Sequence, residues 1–185
     1  MSFRAGMLAG RRLAVTGEGP EADAVIGALR ELGAEVEVLD AATAADEDAA
    51  AAWVAARRPL HALVVGAAAA FGDGGPERLS ATLELTWRAA RAVATGSLIE
   101  SAEGGRLVFV APRAGAGPHA EAARAGLENL ARTLSVEWAR FAVTAVAVTP
   151  GAATEAGDIA TLVAFLVSPA GGYYSGCRFD LGAVA

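Results

Sequence analysis

The stretch Leu13-Ala14-Val15-Thr16-Gly17-Glu18-Gly19-Pro20-Glu21-Ala22 decides the fold. Its first four residues form an apolar, β-rich run. Two glycines and a proline follow, and Glu21 to Leu32 continues as a helix. Pro20 suits the first helical position, and Gly33 stops the helix. A strand passing through a glycine turn into a helix opens a βαβ unit. Five more β-rich runs follow: Val36 to Leu39, Ala62 to Val65, Leu107 to Val110, Val143 to Val148 and Arg178 to Leu181. Most are nearly continuous apolar runs, as in strands buried on both faces. Helical stretches alternate with them at Asp46 to Arg57, Ala81 to Glu100, Ala120 to Arg140 and Asp158 to Val167. This pattern predicts an α/β, Rossmann-like, doubly wound and mostly parallel six-stranded sheet, in one domain over 1–185.

Composition narrows the function classes. The chain has 185 residues, 21 acids and 15 bases, for a formal net charge of -6. Every base is arginine; there is no lysine and no glutamine, the one asparagine is Asn129, and the tyrosines are Tyr173 and Tyr174. Schiff-base chemistry, the P-loop lysine and a lysine-tuned tyrosine are therefore excluded. Mean hydropathy is +0.40, raised by alanine. The longest uncharged apolar run, Ala62 to Phe71, falls far short of the ~20 residues that span a bilayer. Met1 to Gly10 lacks the layout of a signal peptide. Cys177 is alone, and His61 and His119 are far apart in sequence, so no metal site is expected. The acidic balance and the lack of a basic cluster argue against nucleic acid. The expectation is a cytoplasmic protein with no membrane and no nucleic-acid partner.

In a doubly wound sheet, ligands sit at the carboxyl ends of the strands. Those loops are Gly17 to Pro20, Asp40, Gly66 to Ala68, Ala111 to Gly117 and Pro150 to Thr154. Taken in order with their strands, they resemble the short-chain dehydrogenase/reductase family. Leu13 to Gly17 is similar to its first strand and Thr-Gly turn. Leu60 to Ala67 is similar to the strand that ends in Asn-Asn-Ala-Gly. Gly105 to Val110 resembles the strand before the catalytic serine, and Ala123 to Trp138 the helix of Tyr-x-x-x-Lys. Val146 to Gly151 resembles the next strand and its Pro-Gly turn, and Ile159 to Gly182 the final helix, turn and strand.

The resemblance implies a serine, a tyrosine, a lysine and an asparagine at positions that here hold Pro112, Ala120, Arg124 and Glu84. In the family the tyrosine is the general acid/base, the lysine lowers its pKa and the serine orients the carbonyl. A phenol of ordinary pKa ~10 needs such tuning to move protons near neutrality. Alanine and proline transfer no proton, and a guanidinium is no base. The resemblance also implies two shortenings. The chain runs from Asp40 directly into Ala41 to Arg58, without the usual extra helix and strand. Only Ala152 to Gly157 stand where the family places its substrate lid. The chain reads as a truncated, degenerate member with no catalytic residues of the family type.

For a dinucleotide two readings remain. Gly17-Glu18-Gly19-Pro20-Glu21-Ala22 fits G-x-G-x-x-G/A, and Asp40 ends the second strand where a ribose-binding acid sits. Gly17, Gly19, Asp40 and Gly66 are therefore the candidate contacts to NAD or NADP. Against this, the family's own spacing would place glycine at Glu21 and Asp23. Glu18, Glu21 and Asp23 also crowd the helix end that attracts phosphate. Two like charges ~4 Å apart cost about 1 kcal/mol in water. The adopted reading is a self-capped helix start with vestigial glycines and no cofactor; an NAD(P)-binding oxidoreductase with an altered active site is the alternative.

Other residues receive plainer readings. Arg113, His119 and Arg124 either line an anionic pocket or are solvated; solvation is adopted. A buried Glu84–Arg124 pair is considered as a filling for the old active site. Trp87 and Trp138 are assigned to packing, Tyr173 and Tyr174 to structure, and Cys177 to an inert strand start. Helices 81–100 and 120–140 correspond to those through which the family dimerises. The resemblance thus implies a homodimer, or a heteromer with a full-length family member.

Overall fold

Strands buried on both faces must carry apolar side chains at successive positions, and four of the six observed strands do so. The computed structural model describes residues 3–182; the domain reading of 1–185 runs beyond them at both ends. The strands are β1 (Arg12–Thr16), β2 (Glu35–Val38), β3 (Ala62–Gly66), β4 (Gly105–Val110), β5 (Val143–Thr149) and β6 (Arg178–Asp180). They form one sheet in the order β2-β1-β3-β4-β5-β6. All five pairings are parallel. The Rossmann-like expectation is met strand for strand, with parallel pairing throughout.

Helices cover both faces: α1 (Pro20–Glu31), α2 (Ala41–Ala45), α3 (Glu47–Ala55), α4 (Ala68–Phe71), α5 (Pro76–Val93), α6 (Ala120–Glu137) and α7 (Ala156–Val167). Alternation within each strand sorts the core into two layers. Ala14, Leu63, Leu107 and Phe109 face α3, α5 and α6. Leu13, Val15, Val108 and Val110 face α1 and α7. The two edge strands are the exceptions: β6 has no buried residue, and neither has β2. Its Glu35 and Glu37 pair with Arg12 and Arg57 at 2.9 and 3.0 Å, charges that discourage edge-to-edge association.

Three helix boundaries differ from the sequence expectation. The helix expected over 46–57 is α3, 47–55, started by Asp46, which accepts from the Ala49 N–H at 2.8 Å; a separate short helix, α2, precedes it. The helix expected from Ala81 begins at Pro76, with Pro76 in its first turn. It ends in a π-helical turn, Ala94–Leu98, where Val54 leaves no room for a side chain at Gly96. The segment Ala68–Phe71, expected as loop, is the short helix α4.

Candidate active site

The chain order reverses between β1 and β3, so the ligand crevice of a doubly wound sheet falls above those strands. Gly17 ends β1 with φ 128°, and a Cβ there would lie 2.7 Å from the Gly66 carbonyl oxygen. Only glycine fits, which accounts for one residue of the glycine turn. Beneath the crevice, between α1, α7 and the sheet, a small cavity lined by Thr16, Glu21, Ala22, Gly66, Val110 and Ile159 measures about 10 Å³, the threshold for a single water.

Arg113 crosses the mouth of this crevice. Its Nε donates to Glu21 Oε1 at 2.6 Å, and its Nη1 donates to the Thr154 carbonyl. Arg113 thus ties the start of α1 to the β5–α7 loop and is not simply solvated. The self-capped helix start is corrected as well. Gly19, the residue before α1, has φ 90°, and no side chain bonds to the first-turn N–H groups. Of the three acids expected at that end, Glu18, Glu21 and Asp23, Glu21 is drawn to Arg113.

Asp40 caps a helix. Its two carboxylate oxygens accept from the Thr43 N–H at 2.8 Å and the Thr43 hydroxyl at 2.7 Å. These bonds, the backbone one first, hold its pKa below the usual carboxylate value. Asp40 is the N-cap of α2, a use its D-x-x-T spacing already allowed.

The family positions Pro112, Ala120 and Arg124 are brought together. Arg124, 8% exposed, donates from Nη1 to the Pro112 carbonyl at 3.0 Å and the Pro150 carbonyl at 2.6 Å. It locks the β4–α6 loop to the β5–α7 loop, assisted by the Ala114 N–H to the same Pro150 carbonyl at 3.1 Å. The considered Glu84–Arg124 pair does not form. Glu84 is exposed and bonds Arg88 one turn along α5 at 2.5 Å, while Arg124 Nε lies 3.3 Å from Glu121. An i,i+4 partner on the same helix face outcompetes a buried charge pair that must be desolvated.

The space above Ala120 is filled. Phe71 of α4 is fully buried against Ala120 and Ala123, with Leu79 beside it. A Cβ at Gly74 would meet the Phe71 ring at 2.7 Å, and one at Gly117 the Asp73 carbonyl at 2.6 Å. The 72–75 loop is therefore clamped over the 114–118 loop. Sequence reading missed Phe71; its signal was an apolar run that continues past the strand end at Gly66. Ala67, Ala111, Leu127 and Leu83 complete the packing nearby. His119 precedes α6.

On the outer layer, α5 and α6 touch directly. A Cβ at Gly126 would meet Leu83 at 2.8 Å. Trp87 and Trp138 stack with centroids 6.3 Å apart and planes 14° apart, the packing role expected. Trp87 and Val136 remain 37% and 77% exposed on this layer. Tyr174 packs on Phe165 and Phe179, whereas Tyr173 is exposed, as is Cys177. Among the described residues no group of three potential ligands is placed to hold a metal. No described helix is long and apolar enough to cross a membrane.

Solved structures share this architecture. A citronellol catabolism dehydrogenase, AtuB, of Pseudomonas aeruginosa PAO1 superposes with a TM-score of 0.79 at 25% identity, covering 98% of this chain and 97% of that one. A short chain dehydrogenase from Mycobacterium smegmatis does so with 0.79 at 23%, covering 97% and 95%. A short-chain dehydrogenase/reductase variant from Serratia marcescens gives 0.76 at 21%, covering 96% and 99%. No protein-family model and no curated protein matches the sequence.

Proposed function

We propose that this chain, which takes the short-chain dehydrogenase/reductase fold over nearly its whole length, is a non-catalytic relative that serves as a structural or regulatory subunit of an oligomer. One observation carries the reading. The positions that would hold serine, tyrosine and lysine carry Pro112, Ala120 and Arg124, and they form a packed, hydrogen-bonded plug with Phe71. General acid/base catalysis needs a group that gains and loses a proton near the working pH. A proline ring, a methyl group and a guanidinium held by two carbonyls offer none. Phe71 is packed against the Ala120 methyl.

The assembly half of the proposal rests on the retained outer layer. Trp87 and Val136 are exposed on α5 and α6, the helices the resemblance associates with dimers. The partner is a second copy or a full-length relative. The test has two arms. Purified protein is assayed for carbonyl reduction with NADH or NADPH, and its mass in solution is measured by sedimentation, alone and with relatives from its host. No turnover and a mass above the monomer are expected. Turnover, or a monomer that pairs with no relative, overturns the proposal.

The second reading, an NAD(P)-binding oxidoreductase with an altered site, is favoured by one observation. The N–H groups that open α1 are uncapped by side chains beside Gly17 and Gly19, the setting in which phosphate binds. Glu21 stands in the way, with its carboxylate at that helix end.

A further inference from the structure

The opposite edge of the sheet holds a cavity that the family resemblance gives no use. It lies below the amino ends of the strands, measures about 130 Å³, and is lined among others by Arg11, His61, Glu103, Arg106 and Ser168. Its central cation is Arg106, the second residue of β4, beneath the end of α7. Arg106 Nη1 donates to the Gly105 carbonyl at 3.1 Å. Its Nε is buried with no partner, and no carboxylate approaches it within 4.0 Å among the described residues. Arg12 also has a buried, unbonded Nε, yet its other nitrogens reach Glu35 at 2.9 Å and the Arg57 carbonyl at 3.0 Å. Arg106 is therefore the half-buried arginine left without an acid.

Its neighbours fit the same chemistry. Gly172 packs on the guanidinium, and a Cβ there would have to displace it. Arg11 adds a second positive charge, but its Nη1 is held by Glu103 at 2.6 Å. His61 Nδ1 accepts from the Arg12 N–H at 3.1 Å, which leaves Nε2 as the donor nitrogen. Burial, and then the charge of Arg11, pull the Arg106 pKa below the usual arginine value. The carboxyl end of α7 offsets part of this charge through its dipole, but the recorded bond of Arg106 runs to Gly105. At about 130 Å³ the cavity holds several waters, room for a compact polar ion.

We propose that this cavity binds a small oxyanion, phosphate or sulfate, on the guanidinium of Arg106 with Arg11 and His61 beside it. Guanidinium groups recognise such anions through paired N–H donors. The proposal is independent of the reading of the opposite edge.

The test is calorimetric titration of the full chain with sodium phosphate and with sodium sulfate at constant ionic strength, and chloride as the control. Saturable binding is expected for both oxyanions. Arg106→Gln should weaken it at least tenfold. Glu103→Gln removes an exposed carboxylate that competes for Arg11. It should tighten binding about fivefold, the effect of one like charge ~4 Å away in water. Arg11→Gln should weaken it. If Arg106→Gln does not fold, the two surface variants decide. A methyl phosphate arm separates the sources: binding equal to phosphate marks the head of a phosphorylated molecule, and weaker binding marks the free ion. No saturable heat from either oxyanion, or affinities unmoved by Glu103→Gln and Arg11→Gln, would overturn the proposal.

Discussion

The plug over the former active site can be tested by a double-mutant cycle on Phe71 and Ala120. Phe71 is fully buried and packs on Ala120 and Ala123. Removing the ring leaves a cavity whose walls are the α6 backbone and the clamped 72–75 loop, neither free to collapse. Phe→Ala changes in such sites cost about 3–5 kcal/mol. For a chain of this size that lowers Tm by roughly 6–20 °C, at ~2–4 °C per kcal/mol. Ala120→Tyr restores the side chain the family resemblance places there, but into occupied space. Overpacking of this kind costs about 1–3 kcal/mol. In the double variant the phenol enters the space the ring vacated, so the cost falls below the sum of the single costs by about 1–3 kcal/mol, a coupling expected only of residues in contact. Urea unfolding of all four proteins, followed by circular dichroism, measures the cycle. Additive costs, or Phe71→Ala costing less than about 1 kcal/mol, would show that Phe71 does not fill the tyrosine's place.

Three further outcomes follow from the same geometry. Arg124→Met strands the buried Pro112 and Pro150 carbonyls and should cost about 3 kcal/mol in urea unfolding, since hydrogen bonds to charged groups are each worth ~1.5–3; Arg124→Lys should cost less, keeping the charge. Gly17→Ala places a methyl against the Gly66 carbonyl at a φ of 128° and should cost more than about 1 kcal/mol. Asp40→Ala should lower the unfolding midpoint at neutral pH but not in acid. The folded pKa of Asp40 is depressed by its Thr43 bonds, so its contribution is full above the unfolded value of ~3.9. It is lost as pH falls through the folded value, and the two midpoints converge there.

The sheet was legible because periodicity reports burial directly. Strands covered on both faces need apolar residues at every position, and runs such as Leu63-Val64-Val65 and Val108-Phe109-Val110 say so without tertiary information. The sequence resemblance places Pro112, Ala120 and Arg124 where the family has serine, tyrosine and lysine, and the fold brings Arg124 onto the Pro112 carbonyl. What the sequence hid was how the vacated space is used. Phe71 sits in a run that reads as strand and then loop, and only the fold brings it onto Ala120. Glu84 and Arg124 looked like partners because both mark active-site positions, yet Arg88 stands one helical turn from Glu84 and wins without desolvation. Glu21 read as a helix cap, but Arg113 lies 92 residues further along, and no local rule pairs them. The start at Asp46 and the cap at Asp40 were readable in principle, since an acid three residues before an available N–H is a helix start signal.

The most direct test of the proposed non-catalytic role is calorimetric titration with NADH and NADPH. The Glu21–Arg113 bridge holds a carboxylate at the start of α1, where it repels a pyrophosphate. Heats indistinguishable from dilution are therefore expected up to about 1 mM ligand, a range that captures any binding stronger than about 4 kcal/mol. Saturable binding below that concentration, weakened by Gly17→Ala, would contradict the non-catalytic reading and restore the dinucleotide one.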